Sequence, residues 1–109
     1  MSHRTLYTPD SAAEHVNSIF AVLRGRWKLV ILFHLFDGKV QRFSDLERLV
    51  KGISQKMLAQ QLRSLESDGL LIRTVYNFKP PQVDYRLTSW GQQLCPVLDS
   101  MLEWSESSG

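Results

Sequence analysis

The segment Trp27–Phe36 constrains this chain more than any other. It reads Trp27-Lys28-Leu29-Val30-Ile31-Leu32-Phe33-His34-Leu35-Phe36, with eight apolar residues in ten. A helix that is apolar on nearly every side has to be buried on most of them. The segment is too short to span a bilayer, which takes about 20 apolar residues. It therefore predicts a central core helix, ended by Asp37-Gly38, with the rest of the chain wrapped around it. In 109 residues with 43% hydrophobic content, that means one domain. A domain of this size buries only about two-thirds of its unfolded surface. A packed oligomer interface would add to its stability.

Ahead of the core helix, residues 1–10 are polar, carry Pro9 and read as a flexible N-terminal arm. The domain is expected over 11–109. Ser11 can cap a first helix, over about 11–24, with Glu14 at the capping-box spacing. Val16, Ile19, Phe20 and Leu23 fall on one face of it.

After the core helix, Val40-Gln41-Arg42-Phe43 reads as a short extended piece. Ser44 is expected to cap a short helix, with Glu47 at the capping-box spacing and Leu46, Leu49 and Val50 on its apolar face. Lys51-Gly52-Ile53 makes a tight turn, and Ser54 caps a second helix over about 54–68, stopped by Gly69. At about 100° per residue, Met57, Leu58, Leu62 and Leu65 cluster on one side of that helix. Lys56, Ala59, Gln60, Arg63 and Ser67 fall opposite, with Glu66 at the flank, and Gln61 lies toward the buried edge. Two short helices about a tight turn are the helix-turn-helix pattern.

A hairpin follows, over about 71–87. Leu70–Phe78 is rich in strand formers, Asn77–Gln82 is a turn containing Pro80 and Pro81, and Val83–Leu87 alternates as a second strand. Lys79 sits at the tip, with Arg73 and Arg86 nearer the base, where either arginine could instead pair with Asp84. Thr88 caps a last helix over about 88–106. Leu94, Val97, Leu98, Met101 and Leu102 form its apolar stripe, and Pro96 should bend it near Gln92. The architecture is mainly α with a small β-hairpin: a winged helix-turn-helix flanked by N- and C-terminal helices.

Charge divides along the chain. Lys39–Arg86 holds nine Lys and Arg against five acids, whereas Thr88–Gly109 holds three acids and no Lys or Arg. A basic middle and an acidic end suggest a polyanion-binding face and a separate partner-binding segment.

Several runs resemble the HxlR-type, MarR-related bacterial transcriptional regulators. They are Gly25-Arg26-Trp27-Lys28-Leu29-Val30-Ile31-Leu32, Arg42-Phe43-Ser44-Asp45-Leu46, Gly52-Ile53-Ser54-Gln55-Lys56-Met57-Leu58 and Gln60-Gln61-Leu62-Arg63-Ser64-Leu65-Glu66. Asp68-Gly69-Leu70, Pro80-Pro81, Val83-Asp84-Tyr85-Arg86-Leu87-Thr88, Gly91 and Pro96-Val97-Leu98 continue the match. The resemblance implies a homodimeric DNA-binding regulator. Its recognition helix would enter the major groove, its wing would touch the flanking backbone or minor groove, and its first and last helices would pair with a second copy.

On this basis the expected contacts to double-stranded DNA are Ser54, Gln55, Lys56, Gln60 and Arg63, joined by Arg42, Lys79 and Arg86. Lys56 and Arg63 can meet guanine edges or phosphates, and Gln55 and Gln60 can read adenine. Ser54 and the helix N-terminus can hold a phosphate, and Lys79 and Arg86, with Arg42 expected near the hairpin base, suit phosphate contacts. The expected dimer interface is Val16, Ile19, Phe20, Leu94, Val97, Leu98, Met101 and Leu102. Isologous packing would set the two recognition helices about one DNA turn apart on a pseudo-palindromic promoter site. Trp27 reads first as a core anchor. Phe20, Trp27 and Trp104 are also candidates to line a pocket for an unknown small-molecule effector.

Other function classes find less support. A winged helix serving only as a protein-interaction module is the second reading, against which the basic outer face argues. No nucleophile–base set points to an enzyme, and His3, His15 and His34 lack metal-ligand spacing with each other or with Cys95. No cofactor and no membrane partner are expected. The N-terminus leads into no apolar stretch, and the lone Cys95 fits a reducing cytoplasm. Many HxlR-type regulators carry a sensing cysteine ahead of the first helix. Here that position is Glu14, so the thiol switch does not carry over, and Cys95 reads as either a redox sensor or a small buried hydrophobe.

Overall fold

A computed structural model describes residues 3–107. Residues 1–2 of the expected arm and 108–109 of the expected domain lie outside the described residues. The elements in order are a short 3-10 helix (His3–Leu6), α1 (Pro9–Val22), α2 (Lys28–Phe33), β1 (Gln41–Arg42), α3 (Phe43–Leu49) and α4 (Gln55–Ser67). Then come β2 (Leu71–Tyr76), β3 (Gln82–Leu87), α5 (Ser89–Gln92) and α6 (Leu94–Glu106).

Helix α1 starts earlier than expected. Thr8, not Ser11, is its N-cap, and Ser11 completes the capping box: Ser11 N donates to Thr8 Oγ1 at 3.1 Å, and Thr8 N donates to Ser11 Oγ at 2.9 Å. Pro9 fills the first helical position, where a missing N–H costs nothing.

The core helix is shorter than its apolar run. Regular α2 stops at Phe33, yet Leu35 and Phe36 stay buried in the turns beyond it. Asp37 (φ +64°) and Gly38 (φ +72°) then take left-handed conformations in succession and turn the chain away. Burial is less complete than the composition predicts, because Leu29 and Phe33 remain 37% and 41% exposed.

At the next corner Ser44 does not cap α3. Arg42 occupies the cap position, and its backbone N–H donates to Asp45 Oδ2 at 2.9 Å. The short extended piece is a true strand. Strand β1 pairs antiparallel with β3 (Gln41↔Tyr85, Arg42↔Asp84), giving a three-stranded sheet in the order β1-β3-β2.

The core joins Ile31, Leu32 and Leu35 from the α2 region to Leu46 of α3, Leu58, Leu62 and Leu65 of α4, and Leu71, Tyr85 and Leu87 of the sheet. Full burial of each such side chain contributes about 1.5–3 kcal/mol. Trp27 packs against this core, as expected of an anchor. A Cβ added at Gly52 would lie 3.9 Å from the Trp27 ring, so the indole braces the turn between α3 and α4. Gly52 itself sits at φ +87°, which favours glycine.

The last helix is broken where a bend was expected. Thr88 caps α5, and α6 begins beyond Gln93, two residues ahead of Pro96. Leu98, expected at the dimer interface, packs inward. It is 7% exposed and belongs to the core of its own chain. Periodicity places a residue on an apolar face without saying which neighbour covers it.

Candidate nucleic-acid interface

Helix α4 divides its faces as the sequence predicts. Leu58, Leu62 and Leu65 are buried, whereas Gln55, Lys56, Gln60 and Arg63 are exposed. Lys56, Gln60 and Arg63 follow the i, i+4, i+7 spacing and so form one stripe. At 1.5 Å per residue the stripe is about 10 Å long, a length a major groove about 12 Å wide accepts. Among the described residues, Lys56, Gln60 and Arg63 make no ion pair or side-chain hydrogen bond, so no internal partner competes for them. Gln61 points elsewhere, its Nε2 lying 3.5 Å from Met57 Sδ.

Ser54 stands at the N-terminus of α4, where its Oγ accepts from Met57 N at 3.0 Å. The remaining first-turn N–H groups have no acceptor within the helix, and the helix dipole makes that end positive.

The sheet carries a second part of the surface to this end. A hollow of about 670 Å³ lies between the start of α4, the start of α3 and the wing, and Arg42, Ser44, Glu47, Gln55, Phe78 and Lys79 are among its lining residues. Arg42 thus stands beside the wing tip and not near the hairpin base, because β1 pairs with β3 at Asp84. The Asp45 carboxyl is held below the usual carboxylate range. The Arg42 backbone N–H is the main cause; partial burial opposes it, and the Arg48 guanidinium 3.3 Å away adds to it. The ionised carboxylate fixes the corner from which Arg42 projects.

Arg86 lies apart from this group. It is exposed and pairs in register with Ile72 near the base of the hairpin. Four residues of strand separate it from Gln82 at the tip, or about 13 Å. Asp84 accepts from Gln82 Nε2 at 3.1 Å, and among the described residues it pairs with neither Arg73 nor Arg86. Arg73 and Arg63 instead line a shared hollow of about 330 Å³ with Glu66 and Tyr85.

A separate surface, on α1 and α6, is apolar. Helix α1 buries none of its 14 residues. Val16, Ile19 and Phe20 are 43–52% exposed, as are Val97, Met101 and Leu102 within 48–52%. Leu94 is half-buried against the core. A cavity of about 310 Å³ opens between these helices, lined by Ile19, Val22, Leu23, Leu70, Trp90 and Leu94 among others. None of Phe20, Trp27 and Trp104 is among its lining residues. Trp90, which the reading of the sequence passed over, stands there 60% exposed.

A family model described as HxlR-like helix-turn-helix matches residues 22–109. The chain belongs to the HxlR-like helix-turn-helix family. Relatives and folds agree. An HTH-type transcriptional regulator of Bacillus subtilis strain 168, YybR, is 40% identical over 108 residues, covering 99% of this chain and 86% of that one. A MarR-family transcriptional regulator from Enterococcus faecalis V583 superposes with a TM-score of 0.84 at 34% identity, over 97% of this chain and 93% of its own. The redox regulator HypR in its reduced form superposes at 0.76 with 42% identity, over 84% and 90%. This HxlR-like protein is a DNA-binding transcriptional regulator with a winged helix-turn-helix fold. No helix among the described residues of the HxlR-like chain is long and apolar enough to cross a membrane.

Proposed function

We propose that this regulator works in the cytoplasm as a homodimer on pseudo-palindromic promoter DNA. The observation that carries the dimer is α1, a helix of 14 residues with none buried. Isolated helices of that length are marginal in water, and most helical stability comes from packing an apolar face. The chain is also extended for its size. Its radius of gyration is 16.2 Å, against about 13 Å for a compact domain of 109 residues. A second copy laid on Val16, Ile19, Phe20, Val97, Met101 and Leu102 would cover both helices by isologous packing.

Each protomer then offers one recognition helix. Ser54, Gln55, Lys56, Gln60 and Arg63 contact the major groove, and Arg42 and Lys79 contact phosphates beside the wing. Arg86, at the hairpin base, reaches only flanking backbone. Affinity comes largely from phosphate contacts and falls with salt, while sequence is read by α4. Regulation needs a ligand that prefers one spacing of the two recognition helices. The apolar cavity beside Trp90 is the place for an uncharged effector. No catalytic role is assigned.

Sedimentation velocity tests the dimer. The full chain should sediment at twice its chain mass at micromolar concentration, and Phe20→Asp should sediment as a monomer. A wild-type monomer would contradict the assembly. A dimer that binds every duplex equally would favour the protein-interaction module.

A further inference from the structure

Two aromatic rings stand at the tip of the wing. Tyr76 ends β2 opposite Gln82, and Phe78 follows in the turn. The rings are stacked, with centroids 5.3 Å apart and planes inclined by 14°. Phe78 is 57% exposed and Tyr76 is 38% exposed. An exposed pair of stacked rings on a solvated hairpin marks a contact with something else.

Its position says with what. Phe78 lines the same hollow as Gln55, at the first turn of α4, and as Arg42 and Lys79. The aromatic tip is therefore continuous with the surface that meets the duplex. Glu47 also lines the hollow, so its charge is only modestly positive. Lys79 supplies a single phosphate contact, which accounts for about one unit of salt slope and leaves the rings unused. Apolar side chains that reach the minor groove act by wedging at base steps, most cheaply at flexible pyrimidine–purine steps.

We propose that Phe78, backed by Tyr76, is an apolar wedge that enters the minor groove beside each half-site and makes this regulator select deformable flanking steps. The inference rests on the duplex-binding reading of α4. It adds a specificity determinant that touches no base edge in the major groove.

The test is selection of duplexes from a random library by the full chain, followed by titration of the selected duplex with its flanking step varied. Wild type should prefer a TA or CA step over an A-tract at the wing position by about fivefold or more. Phe78→Ala should reduce that preference to within about twofold while keeping the half-site sequence. Phe78→Leu should retain it. Phe78→Lys separates wedge from charge: a charge-only tip binds more tightly with the added lysine, whereas a wedge loses its flanking preference. Aminopurine placed at the step should brighten on binding wild type and stay dark with Phe78→Ala. Unchanged melting temperatures confirm that the exposed substitutions leave the fold intact. A selected half-site with no flanking preference, or a preference that survives Phe78→Ala, overturns the wedge alone. Selection of no sequence at all overturns the duplex-reading function with it. A change of oligomeric state in Phe78→Ala would assign the tip to a protein contact and overturn the wedge too.

Discussion

Gly91 lies directly against the backbone of Leu70. A Cβ at position 91 would stand 2.5 Å from the Leu70 carbonyl oxygen and 3.2 Å from Leu87 Cβ. The same carbonyl accepts from Thr88 N at 3.0 Å, and Thr88 Oγ1 donates to Gly69 O at 2.8 Å. The start of α5 is thereby tied to Gly69 and Leu70, the link between α4 and β2. Gly91→Ala must push backbone against backbone. It should lower stability by about 1–3 kcal/mol or more, the range of overpacked cores, seen as a lower midpoint in urea. A wild-type midpoint would show that α5 can move away freely.

Leu98 and Met101 share an apolar stripe but face different neighbours, 7% and 48% exposed respectively. Leu98→Ala should cost about 2–5 kcal/mol as a core truncation. Met101→Glu should leave the winged-helix core folded and separate the protomers. Urea titration and sedimentation of both variants distinguish the roles. Dissociation by Leu98→Ala without loss of stability would reverse the assignment.

On the DNA face, Lys56→Ala and Arg63→Ala should each weaken binding by about 1–3 kcal/mol if they meet base edges. A phosphate contact would instead lower the salt slope by about one unit and spare sequence preference. Both side chains are exposed, so stability should change by less than about 0.5 kcal/mol. Anisotropy titrations at two salt concentrations decide. Unchanged affinity at physiological salt would remove that residue from the interface.

Much of this face was legible from local signals. Ser54 before an apolar-periodic helix marked the start of α4, and Gly69 its end. Thr8 and Pro9 held a signal for α1, a cap followed by proline at the first helical position, yet the proline read more naturally as part of an arm. What escaped was non-local. The pairing of β1 with β3, which carries Arg42 toward the wing tip, joins residues more than forty apart in sequence. Leu98 and Leu102 look alike on a helical wheel, and only tertiary packing separates them. Trp90 and Phe78 carry no periodicity, so nothing in their spacing marked them.

Cys95 should be a slow thiol. Desolvation pushes its pKa up, and the Asp99 and Asp37 carboxylates push it further, Asp99 Oδ2 lying 3.9 Å from Sγ. A raised thiol pKa leaves less thiolate at neutral pH, and the thiolate is the reactive form. Alkylation at pH 7 should run slower than that of a free cysteine, and diamide should leave DNA affinity unchanged. Loss of binding on diamide treatment, absent in Cys95→Ser, would establish a redox role.

The central claim is that two protomers read two half-sites through α4. The most direct test is a stoichiometric anisotropy titration of a library-selected duplex, alongside a single half-site and a scrambled duplex of equal length. Two protomers should bind the selected duplex, with an affinity well above that for the half-site and weak salt-sensitive binding to the scrambled sequence. One protomer per duplex, or equal affinity for selected and scrambled sequences, would contradict it.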